Sequence, residues 1–104
     1  MTTEEASNLV IACGKLDKVL NNLNQDIRNM LVLNQPNLTL LKMNLSANDA
    51  LKNDTQYFLT CLEDASQRAG WWYRLAAKHY IKVIRKKYVL SQQGLQILKS
   101  RFDL

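Results

Sequence analysis

The sequence predicts an all-α fold: a small bundle of about four to five helices forming a single domain over residues 1–104. Three observations predict it. An apolar heptad seam runs through the first third of the chain, and residues 72–88 separate apolar from basic side chains when projected on a helix. One proline and three glycines among 104 residues leave little to interrupt helices, and no internal repeat or low-complexity tract is present. At 47% hydrophobic, a chain of this length builds one real core and is too short for two.

The first helix is the most sharply written. Thr2 and Glu5 have capping-box spacing, and Glu4 and Glu5 put negative charge where a helix N-terminus favours it. Leu9, Cys13, Leu16, Leu20, Leu23, Ile27 and Met30 then recur at heptad spacing. Pro36 restricts the residue before it and cannot continue a hydrogen-bonded helix, so the helix is expected to end near Asn34. Gly14 is an interior weakness rather than a stop. The seam reads as the core face of an intramolecular bundle, with Cys13 a small core residue; self-association or a partner helix is the other use for it.

Residues 36–45, PNLTLLKMNL, suit a short helix or an apolar crossover lying on the bundle. Ser46 followed by Asp49 reads as the next cap. Beyond it Ala47, Ala50, Leu51, Phe58, Cys61, Leu62 and Ala65 mark one face of a helix reaching about Ala69. Gly70 either ends that helix in a left-handed conformation or is tolerated inside a longer one.

The stretch AGWWYRLAAKHYIKVIRKK, residues 69–87, contains no acid. At about 100° per residue, Trp72, Tyr73, Ala76, Ala77, Tyr80, Ile81, Val83, Ile84 and Tyr88 gather on one side. Arg74, Lys78, Lys82, Arg85 and Lys86 gather on the other, with Trp71 in the middle of their arc and His79 on the border. Trp72, Tyr80 and Tyr88 are expected in the core, as is the border position of His79. Trp71 is either a packed residue at the helix start or a platform for an unstacked base. Lys87 points to the apolar side, so it reaches out along its stem or marks the helix end.

Charge is divided unevenly along the chain. Residues 1–67 carry five basic and eight acidic side chains, about −3, whereas residues 68–104 carry nine basic and one acidic, about +8. Cations spaced by one helical turn can follow successive phosphates, and neutralising each phosphate releases condensed counterions, so binding is steeply salt-dependent and reads no sequence. The alternative is a solvated face, but solvated faces usually mix signs, and no acid lies between Asp64 and Asp103. The candidate nucleic-acid-binding residues are Arg68, Trp71, Arg74, Lys78, Lys82, Arg85 and Lys86.

Other functions are disfavoured. Cys13 and Cys61 form no ligand spacing, and no signal peptide is visible, so a reduced, cytoplasmic protein is the default. No window is apolar enough for a membrane span. His79 has no ligand or acid at metal-binding spacing, and no phosphate loop or nucleophile elbow is present. Adjacent Glu63 and Asp64 diverge by about 100° on a helix and make no acid/base pair. The chain reads as a non-enzyme without cofactor or metal.

Beyond Tyr88, Ser91 and Gly94 bracket a new start, after which Leu95, Ile97, Leu98, Phe102 and Leu104 supply a last apolar face, with Lys99 and Arg101 extending the charge. The run YVLSQQGLQIL, residues 88–98, resembles the end of many winged-helix DNA-binding domains, where a wing strand gives way to a terminal helix. That resemblance implies a regulator reading duplex DNA. The whole chain, by its size, helical pattern and basic stripe, is similar to the small helical subunits of CRISPR effector complexes. This similarity implies a subunit contacting strands non-specifically, through Arg74, Lys78, Lys82, Arg85 and Lys86, and packed among neighbouring subunits that include copies of itself. A third reading is an interaction or inhibitor module whose basic helix meets an acidic protein or a membrane surface.

Overall fold

The computed structural model describes residues 3–35 and 37–103, apart from the side chain of Thr3. They form four helices: α1 (Thr3–Leu33), α2 (Leu38–Ser46), α3 (Asn48–Arg68) and α4 (Trp71–Arg101). No strand occurs among them. The expected Thr2–Glu5 cap, the Pro36 stop and Leu104 involve positions outside the described residues.

The bundle has three legs. A 31-residue helix is about 46 Å long, so α1 and α4 each run almost the whole 48 Å of the long axis. They lie parallel. The Asn24 side-chain amide donates to the Lys87 carbonyl, Ile27 meets Gly94, and Arg101 donates to the Leu31 carbonyl, so contacts ascend both helices together. α3 runs antiparallel to α4, with Asn48 opposite Gln92 and Ser66 opposite Arg74. Together α2 and α3 supply about 45 Å of helix. They are one leg, broken at Ala47.

That break corrects the expected cap. Ser46 is the last residue of α2, and Ala47 (φ −82°, ψ −3°) closes α2 and opens α3 without a side-chain cap. The capping side chain sits one helix earlier, where Asn37 Oδ1 accepts from the Leu40 N–H at 3.1 Å. At the α3 start, Asn48 and Gln92 exchange two side-chain amide hydrogen bonds of 3.0 and 2.8 Å, anchoring the break to α4. α1 ends as expected: Asn34 takes a left-handed conformation (φ 50°), one that asparagine tolerates at a helix end.

The heptad seam is the intramolecular core. Cys13, Leu16 and Leu20 pack with Leu62, Ala77, Ile81 and Ile84 in one cluster. Leu23, Ile27 and Met30 pack with Leu41, Leu95 and Leu98 in a second. A fully buried leucine stabilises the fold by about 1.5–3 kcal/mol relative to an exposed one.

Three further expectations fail for identifiable reasons. Gly70 is neither left-handed nor inside a helix: it is extended (φ −65°, ψ 169°), as is Ala69, and the two residues turn the chain from α3 into α4. No new helix starts at Ser91 and Gly94, and no wing forms over residues 88–98, because α4 continues to Arg101. Ser91 Oγ donates back to the Tyr88 carbonyl at 2.6 Å, which satisfies a buried hydroxyl inside the helix. Gly94 is small because α1 passes against it. Finally, Trp72, Ala76 and His79 are exposed rather than core or core-bordering, while Tyr80 and Tyr88 are half-buried at the core edge. Trp72 lies about 120° from the centre of the buried face, and in the first turn of α4.

Candidate nucleic-acid interface

The basic arc of α4 faces outward because the opposite arc, Ala77, Ile81, Ile84, Leu95 and Leu98, is held in the core. Arg74, Lys78, Lys82, Arg85 and Lys86 are all exposed, over about 18 Å of helix. The structure does not leave them equivalent. Arg85 pairs with Glu63 of α3, and Arg68 at the α3 end pairs with Asp64 one turn before it at 3.3 Å. Two of the candidate cations are thus compensated by acids that lie outside the acid-free stretch but fold alongside it.

Arg74 donates from Nε to the Ser66 carbonyl at 3.0 Å, which fixes its direction without neutralising it. Among the described residues no carboxylate pairs with Lys78, Lys82 or Lys86. These four cations form the uncompensated part of the stripe. Ser66 and Gln67 line a shallow depression with Arg74 and Lys78. Nothing in the linear pattern signals those two α3 residues, because only the antiparallel packing of α3 on α4 brings them to the stripe.

Lys87 has a different role from its neighbours. Its Nζ donates to Asp17 Oδ1 of α1 at 2.5 Å with both side chains partly buried, and it lies well inside α4 rather than at its end. It belongs to the bundle, not to the face.

At the head of the stripe, Trp71 and Trp72 are 61% and 76% exposed. Their rings meet edge to face, with centroids 4.4 Å apart and planes at 69°. Leu75, Val89 and Leu90 are also exposed along the outer side of α4, so apolar and cationic groups alternate there.

The remaining reactive groups stand elsewhere. Burial, with a smaller contribution from nearby Cys61, pushes the Cys13 thiol up to about 11, leaving it a protonated core group. Burial likewise raises the Tyr73 and Tyr88 hydroxyls. Both cysteines are free. Among the described residues no three His, Cys, Asp or Glu side chains converge on a point that could hold a metal, and no helix is long and apolar enough to cross a membrane. No protein-family model, curated protein or solved structure matches the chain.

Proposed function

We propose that the protein is a non-catalytic, sequence-independent nucleic-acid-binding subunit whose α4 face contacts a phosphate backbone. The observation that carries this reading is the row of Lys78, Lys82 and Lys86 with Arg74, exposed over a little more than three turns of one helix and without acidic partners among the described residues. A surface built this way pays no internal electrostatic penalty for taking up phosphates, and exposed pairs such as Arg85–Glu63 are weak enough to exchange for one. Assembly into a larger ribonucleoprotein particle, of the kind the similarity to CRISPR effector subunits implies, is part of the proposal. In such a particle the faces away from α4 would meet neighbouring subunits.

The test is fluorescence anisotropy with labelled oligonucleotides of two unrelated sequences across a salt series. The expected result is sequence-indifferent binding that weakens steeply as salt rises. Lys78→Glu with Lys82→Glu is expected to remove most of it while leaving helicity and thermal stability nearly unchanged. Affinity unchanged by the double reversal at moderate salt would sink the proposal. Binding only to acidic proteins would redirect it to an interaction module.

A further inference from the structure

We propose that the exposed Trp71–Trp72 pair is a base-stacking platform that makes the α4 face selective for single strands over duplex. The inference rests on the backbone-binding reading above and adds the element that would recognise bases. Two large aromatic side chains left open to water at the head of a cationic row are unusual, since aromatic rings normally contribute their area to a core. Here neither ring is needed by the core, which is closed at this end by Tyr73 and Ala77.

Trp71 projects within the same arc as Arg74, Lys78 and Lys82, so a strand whose phosphates track those cations passes the indole. In the edge-to-face arrangement the edge of one ring covers a face of the other, and the remaining faces are not closed against each other as they would be in a stacked pair. A duplex presents its bases stacked inward and offers only its backbone. Stacking on such a platform is sequence-tolerant because every base has a π-face.

An anionic lipid surface is the competing ligand for tryptophans beside lysines. It is disfavoured by the arrangement of α4, whose continuous apolar arc is already buried in the bundle and unavailable to acyl chains. The exposed apolar residues Leu75, Val89 and Leu90 are interrupted by lysines instead of forming one apolar side.

The chain has just two tryptophans, both in this pair, so intrinsic fluorescence reports the platform without background. The experiment compares a thymidine oligomer of about twelve nucleotides, within the span one single-strand module covers, with an abasic sugar-phosphate strand and with a duplex of equal length; a duplex bound as tightly as the thymidine oligomer would overturn the selectivity. All are end-labelled and titrated across a salt series into the wild type and into the Trp71→Ala/Trp72→Ala variant, whose fold is verified by circular dichroism; label anisotropy reads binding in both proteins, and tryptophan emission is read in the wild type. The expected result is quenching by the base-bearing strand and tighter binding of it than of the abasic strand, by about 5- to 150-fold per stacked base. The double variant should bind both single strands like the wild type binds the abasic one, with the same salt slope.

Equal wild-type affinity for the two single strands would overturn the platform while leaving the backbone contact standing. Failure to bind either strand would overturn both. A blue-shifted emission with phosphatidylglycerol-containing phosphatidylcholine vesicles, without strand binding, would assign the pair to a lipid surface instead.

Discussion

Gly94 of α4 lies directly against Ile27 of α1: a methyl group added at Gly94 would sit 2.5 Å from Ile27 Cγ2. That atom branches from Cβ and cannot swing aside as the tip of a long chain would. Gly94→Ala is therefore expected to destabilise the bundle by about 1–3 kcal/mol, although alanine is the better helix former. Gly14 has open space where its Cβ would be, so Gly14→Ala should stabilise by up to about 1 kcal/mol. Urea unfolding of the two variants checks both; equal shifts would show that α1 and α4 do not approach closely at Gly94.

Lys87 and Lys78 are both cations of α4, and they should separate stability from binding. Lys87→Ala loses the Asp17 partner between α1 and α4 and is expected to cost about 1 kcal/mol of stability, the upper end for a partly exposed pair. Its effect on oligonucleotide affinity should be small. Lys78→Ala, exposed and without a carboxylate partner among the described residues, should leave the melting temperature in place and reduce the salt slope of binding by about one. Thermal melts beside salt-series titrations read both quantities.

Thr55 is 1% exposed, and its hydroxyl has no hydrogen-bond partner among the described residues. A buried donor left unpaired costs about 1–3 kcal/mol relative to a satisfied one. Thr55→Val keeps the branched shape and removes the polar atom, so the expected outcome is unchanged or higher stability, by up to about 1 kcal/mol. A loss of more than that in calorimetry would mean the hydroxyl is satisfied in solution.

Cys13 should be unreactive in the folded protein, whereas the partly exposed Cys61 should be modified. A chromogenic disulfide reagent at mildly alkaline pH should titrate one thiol in the native state and two in denaturant. Stability should also depend on pH. The unfolded Cys13 thiol ionises near its ordinary 9.0 and the folded one near 11, so between these values the unfolded chain holds fewer protons. The contribution is complete below about pH 9 and is lost as pH rises towards 11. The raised Tyr73 and Tyr88 hydroxyls act in the same direction at the alkaline end. Cys13→Ala should flatten part of that fall in denaturation midpoints measured across alkaline pH.

By itself the sequence determined the helical class, the buried seam from Cys13 to Met30, the end of α1 at Asn34 and the outward direction of the basic arc. Each of these follows from the period of a helix and from local backbone chemistry, which neighbours in sequence control. Tertiary structure decided the rest. Ser91 and Gly94 look like a helix boundary in the linear chain, yet small residues serve equally well where two helices touch, and only the packing of α1 on α4 selects that role. Trp72 projects to the edge of the broad apolar side, and whether an edge position is covered depends on what packs beside the first turn. The acid that neutralises Arg85, and the separation of Lys87 from its neighbours, likewise follow from side chains on α3 and α1 approaching across the bundle, whereas the Arg68–Asp64 pair is local to α3. Charge in a segment is a sum over sequence, whereas charge at a surface is a sum over space, and the antiparallel return of α3 is what makes the two differ here.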